Sequence, residues 1–235
     1  MAFPTPSTPR FGLTVPSTGE KVSFRPFLVG EQKGMMLSLA SGDTDTIVGS
    51  IRHIINVCSD GKLDASKLAP FDIEDIFLKL RIQSIGESID LTGTCTSCES
   101  EFQFSVDLTT ATLDLSDIPS NKISINDSIG VIMRWPSPEV IFEMHQKDEL
   151  TEADLIEVVT DSIDSVWDAD DVFKADDYPR DDRVKFIEAL TQEQLQRLTA
   201  FVVSTPSTVI DTTARCPNCK TDNKIHIEGL ESFFV

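Results

Sequence analysis

Read for the alternation of apolar and polar positions, the chain starts with strand-like pieces. Residues 12–15 and 22–24 flank the turn cluster Pro16-Ser17-Thr18-Gly19 and predict a β-hairpin. The pattern then becomes helical. Residues 31–40 form a helix candidate that Ser41-Gly42-Asp43 terminates. Residues 44–58 put Ile47, Ile51, Ile54, Ile55 and Cys58 at helical spacing, giving one buried stripe. Pro70 opens a third helix with Phe71, Ile73, Ile76, Phe77 and Leu80 as its apolar set.

From Ser84 onward the pieces become strand-like again. Residues 88–91 and 102–108 make one hairpin-sized unit, and residues 122–125 and 131–135 a second, which Pro136 and Pro138 end. Helices return over residues 137–147. Thr151 with Asp154 resembles a capping box and precedes Leu155, Ile156, Val158, Val159, Ile163 and Val166. Thr191 with Gln194 does the same before Leu195, Leu198, Phe201 and Val202, and Pro206 stops that helix. Residues 209–210 and 225–227 are the last strand candidates.

One unit recurs within this pattern: strand, C-x-x-C, polar turn, strand. Cys95 and Cys98 form the first pair, and Cys216 and Cys219 the second. Two intervening residues let both thiolates of a pair face one ion, and four thiolates match the closed tetrahedral shell of a structural Zn2+. Disulfides, a redox motif and unmetallated thiols are the competing readings. A disulfide needs an oxidising compartment, of which there is no sign, and a thioredoxin-like pair should lie between a strand and a helix. The zinc reading with ligands Cys95, Cys98, Cys216 and Cys219 is therefore preferred. It leaves no open position on the metal for catalysis. Cys58 sits in a helical apolar stripe and reads as packing.

The expected fold class is α+β: a mainly helical body with short β-hairpins and a split four-Cys zinc-ribbon-like module. The expected division is an extended, proline-rich tail over residues 1–10, a hairpin with helices over 11–83, ribbon halves over 84–110 and 207–235, and a hairpin and helical insertion over 111–206.

Composition changes the picture in one respect. The chain has 235 residues with 20 Lys and Arg against 39 Asp and Glu, a formal net charge of −19. Nucleic-acid affinity comes largely from cations neutralising phosphates, so this balance weighs against a zinc-ribbon nucleic-acid binder. Arg10, Lys21 and Arg25 are the nearest approach to a basic cluster. No apolar run is long enough for a membrane span and no export signal is visible, so a cytoplasmic location is expected. His53, His145 and His226 are scattered; no Ser/His/Asp set or HExxH is visible, and no catalytic site is placed.

Acidic residues concentrate between Asp161 and Asp182. Asp168, Asp170 and Asp171 lack the glycine and late glutamate of a calcium loop, so a solvated loop is expected there. Trp167, Phe173 and Tyr178 within it either pin the loop to the body or anchor a partner.

Several stretches combine into a resemblance. Val22-Ser23-Phe24-Arg25-Pro26-Phe27 leads to Glu31 and a Met/Leu helix. Phe71-Asp72-Ile73-Glu74 precedes Phe77, Leu80-Arg81 and Ser84-Ile85-Gly86-Glu87. Cys216-Pro217-Asn218-Cys219 leads to Glu228-Gly229-Leu230 and Phe233-Phe234. In order and spacing these resemble the T4-like bacteriophage baseplate hub subunit or baseplate hub assembly protein family. The resemblance implies a non-enzymatic role in building the hub of a contractile tail, either as a subunit retained in the virion or as a factor that leaves after assembly. The expected location is the virion tail baseplate, with assembly in the host bacterial cytoplasm. Its expected partners are other baseplate hub and tail proteins, with no nucleic acid and no membrane span. A chaperone for the tape-measure protein, absent from the finished virion, is the alternative. Contact candidates are the tail, the acidic aromatic segment and residues 230–235. Phe233 and Phe234 either join that contact or pack on the domain's own core.

Overall fold

A computed structural model describes residues 6–147 and 150–229. They fall into two compact units, one of Met1–Leu113 with Ser207–Val235 and the other of Asp114–Pro206.

In the first unit, strands β1 (Phe11–Thr14) and β2 (Lys21–Phe24) pair antiparallel, with Phe11 opposite Phe24. Helix α1 (Val29–Ser41) starts where Glu31 turns back to accept the Leu28 N–H, and ends at Gly42 in the left-handed region. Helix α2 (Thr44–Cys58) is capped by Asp43, whose carboxylate accepts the Thr46 N–H at 2.9 Å. Its predicted stripe is buried throughout. Helix α3 (Pro70–Ser84) is buried on nearly all sides, and two acids near its start serve as ties. Asp72 accepts the Ser17 N–H and hydroxyl at 2.8 and 2.6 Å, which fixes the β1–β2 turn. Glu74 accepts the Thr208 N–H at 3.0 Å, which fixes the start of a strand 134 residues away.

Strands β3 (Ser88–Thr94) and β4 (Glu101–Asp107) form a two-stranded sheet. Strand β5 (Thr112–Leu113) pairs with β10 (Thr208–Arg215), which also pairs with β11 (Asp222–Glu228). Leu78 of α3, Ile89 and Val106 of the first sheet, and Ile210 and Ile227 of the second share one buried cluster.

The second unit holds a four-stranded antiparallel sheet in the order β6 (Lys122–Ser124), β7 (Gly130–Met133), β8 (Ile163–Trp167), β9 (Val172–Lys174). Helices α4 (Pro138–His145), α5 (Glu152–Asp161), α6 (Arg180–Glu188) and α7 (Gln192–Val203) complete it. Val131, Val159, Ile163, Leu198 and Phe201 are among its buried core. Gly130 stands opposite Trp167, and a Cβ at Gly130 would lie 2.2 Å from the indole. Only glycine fits there.

The expected mainly helical body is overturned. Helix accounts for 41% and strand for 24% of the described residues, with strands in four antiparallel sheets, so the fold is an α+β mix in which strand is a substantial share. The hairpins bearing the cysteines are not short, since their strands run seven or eight residues. In β3, β10 and β11 the residues next to the turns are mostly polar and carry little apolar signal, which is confined to Ile89, Leu91, Val209, Ile210, Ile225 and Ile227 farther away. The zinc-ribbon-like module also needs correction as a fold class. The cysteines sit on two separate sheets, and only their proximity suggests such a module.

Two further expectations change in the second unit. Ile163 and Val166 belong to β8 rather than the preceding helix, because α5 stops at Asp161 and the chain turns at Ser162 into sheet pairing with β7. Asp168–Asp171 do form a solvated turn, but the acidic segment around it is a hairpin, β8 and β9, followed by α6. Asp168 makes the β8–β9 turn by accepting the N–H groups of Asp170 and Asp171, both at 2.9 Å. Among the described residues, no helix is long and apolar enough to cross a membrane.

Candidate metal centre

The two C-x-x-C loops fold alike. In the first, the Cys95 N–H donates to the Ser100 carbonyl and the Glu99 N–H to the Cys95 carbonyl, both at 3.0 Å. In the second, the Cys216 N–H donates to the Thr221 carbonyl at 2.9 Å and the Lys220 N–H to the Cys216 carbonyl at 3.0 Å. Glu99 and Lys220, each one residue past the second cysteine, both adopt positive φ, 58° and 66°. A non-glycine residue rarely does so. Here the conformation turns the chain back into the hairpin and leaves both sulfurs of the pair on one side.

The four sulfurs converge. Their Sγ atoms lie within 4.8 Å of one another, a set able to hold a metal ion. Cys95 approaches Cys219 to 3.5 Å, and Cys98 approaches Cys216 to 3.8 Å. The first cysteine of each loop therefore meets the second of the other, as a local two-fold would require. These separations are far longer than the ~2.05 Å of a disulfide. They match the ~3.8 Å edge of a tetrahedron whose sulfurs stand ~2.3 Å from a central zinc. Cys95 and Cys216 are buried, Cys98 is half-buried and Cys219 is exposed.

Polar neighbours favour the thiolate at Cys98 and Cys216; at Cys219 the Thr221 contacts lower the thiol, but the neighbouring sulfurs of Cys98 and Cys95 leave it above its ordinary value. The Ser100 hydroxyl, 3.0 Å from Cys98, and the Ser100 backbone N–H draw the Cys98 thiol down to about 6. The Cys219 backbone N–H, followed by the Ser100 hydroxyl, lowers Cys216. Asn223 is buried; its amide group lies 3.7 Å from Cys95 Sγ while its carbonyl accepts the Thr96 N–H and hydroxyl, both at 2.9 Å. Asn218 offers its amide to Cys98 at 3.7 Å. Such outer contacts orient ligands and offset the charge of four thiolates. They were absent from the sequence reading, although Ser100 and Thr221 share the second position after each C-x-x-C. Aligning the two loops would have exposed that pair; nothing local would have exposed Asn223.

Other residues considered from sequence lie elsewhere. Cys58 is fully buried, and burial pushes its thiol up to about 11, consistent with a packing role. His226 Nδ1 stands 2.8 Å from Asp211, which raises its pKa; His226 is not part of the cysteine group. Arg10 pairs with Asp60 at 2.7 Å and Arg25 with Glu31 at 2.6 Å, so two of the three cations near the first hairpin are already neutralised. Arg10 also donates to Ser23 and holds the described part of the tail on β2. Phe173 and Tyr178 meet edge to face at 6.4 Å on the acidic hairpin side. Residues 230–235, with Phe233 and Phe234, lie outside the described residues, as do residues 1–5.

Comparison with known proteins then supplies what the cysteines cannot. Residues 8–235 match the family described as T4 bacteriophage base plate protein. The chain belongs to that family. No curated protein and no solved structure matches it significantly. The base plate protein is thus a structural component of a bacteriophage tail, and its partners are sought among tail proteins.

Proposed function

We propose that this base plate protein is a non-catalytic component of the central hub of a contractile tail, acting through protein–protein contacts, with Cys95, Cys98, Cys216 and Cys219 holding one structural zinc. The convergence of four sulfurs from loops about 120 residues apart carries the metal part of this reading. Four thiolates close the coordination shell, so the ion serves to fasten the second cysteine hairpin to the first rather than to activate water. Family membership, together with the ordered resemblance to hub proteins, supports the hub assignment. The high acidic charge suits contact with basic partner surfaces.

Two measurements test this reading. Quantitative mass spectrometry of purified virions should find the chain in fixed ratio to other baseplate proteins. Its absence from virions, with accumulation on tape-measure protein in infected cells, would replace the hub reading by the chaperone. Elemental analysis of the purified protein should find about one zinc per chain, reduced by Cys216→Ser. Full metal retention in that variant would remove Cys216 from the site.

A further inference from the structure

We infer that the second unit carries a docking pocket for a basic segment of another protein that presents one large apolar side chain. This deepens the contact-making reading above by naming the chemistry of a partner. A pocket of about 280 Å³ opens beside β8, β9 and α6. Buried Ile163 and Ala175 form its depth, with Val166 and Phe186 on its walls, and Phe173 and Tyr178 stand exposed at its lip. The lining is almost wholly apolar, and its volume suits a single leucine, methionine or phenylalanine side chain.

Charge selects what brings that side chain. Residues 161–182 contain nine aspartates against Lys174 and Arg180. Asp182 at the pocket is paired with Lys185 at 2.9 Å, but Asp164, Asp170, Asp171, Asp177 and Asp181 are exposed around the same hairpin and helix. An apolar anchor flanked by lysine or arginine meets complementary potential here. A second copy of the chain would bring its own acidic segment against this one, and a nucleic acid would bring phosphates; both are repelled. Arg183, which also lines the pocket, is turned towards Asp161 at 3.8 Å.

The test uses the full chain and a labelled synthetic peptide with one phenylalanine between two pairs of lysines, followed by fluorescence anisotropy at low salt. Binding should weaken at least tenfold when the phenylalanine becomes serine, when the lysines become glutamates, or when the protein carries Phe173→Ser with Tyr178→Ser. Asp170→Lys with Asp171→Lys should weaken binding and flatten its salt dependence, without touching the apolar lining. No binding up to about 1 mM peptide, or equal binding by the glutamate peptide, overturns the proposal. Sedimentation showing that the wild-type chain self-associates and the Phe173→Ser, Tyr178→Ser variant does not would assign the pocket to a second copy and likewise overturn it. Because the peptide assay needs no phage, its outcome is independent of whether the chain is found in virions.

Discussion

The two units reach stability by different routes. The second is one continuous stretch of chain around an apolar core, and no cysteine lies in it. The first is assembled from pieces far apart in sequence, joined by buried polar ties as well as apolar packing. Asp72 holds Ser17, Glu74 holds Thr208, and Cys95 faces Cys219. Long-range closure costs chain entropy before any contact rewards it. The proposed metal would bridge one of these long-range closures, between Cys95 and Cys219, and so offset part of that cost. On the zinc reading, this contrast is why the four clustered cysteines belong to the first unit.

The sharpest way to break the comparison uses the placement of tryptophan. Both tryptophans, Trp135 and Trp167, belong to the second unit. Removing the metal with a strong chelator should lower far-UV circular dichroism and expose the strands of the first unit to hydrogen exchange. Tryptophan emission should stay native. If emission shifts in step with the loss of ellipticity, the two units do not differ in metal dependence. A smaller effect runs the other way. Gly130→Ala forces a Cβ into the Trp167 ring and should cost about 3 kcal/mol, read as an earlier urea transition by tryptophan emission with zinc content unchanged.

The smallest effect is acid sensitivity in the first unit. Arg25 donates to both Glu31 oxygens, at 2.6 and 2.9 Å, and this charged hydrogen bond holds the Glu31 carboxyl below its ordinary value of 4.5. A depressed carboxyl stabilises the fold fully above its unfolded pKa, and that contribution disappears as pH falls through the folded value. Glu31→Gln should therefore cost about 1.5 kcal/mol near neutral pH and show a shallower loss of stability below pH ~4.5 in urea titrations.

How much of this was legible in sequence depended on the kind of signal. The apolar stripe over Thr44–Cys58 marks α2 because its period is helical throughout; Asp43, read from sequence only as part of the preceding helix's end, proves to be the cap. Both capping boxes form as read, at Thr151 with Asp154 and at Thr191 with Gln194. Ile163 and Val166 misled, since an apolar run continuing past a helix end looks helical until strand pairing decides it. Helix α6 escaped notice because its first turn carries Asp181 and Asp182 and only Ile187 is buried. For the candidate site, C-x-x-C spacing singled out the four sulfurs, which the structure brings together. Their supporting cast was not legible: Asn223 reaches Cys95 across 128 residues, and no local pattern encodes that contact.

The pairing of β5 with β10 has one more consequence. Leu113 stands opposite Thr208, and Thr112 opposite Val209, so the residues that bracket the second unit are neighbours in one ladder. The stretch Asp114–Pro206 is therefore carried like the loop of an oversized hairpin on a closed stem. Such a stem tolerates exchange of its cargo. Insertions, deletions or wholesale replacement between those two residues can accumulate without rerouting the strands that carry the cysteines. Contact specificity carried by that stretch can then change while the cysteine-bearing strands stay as they are.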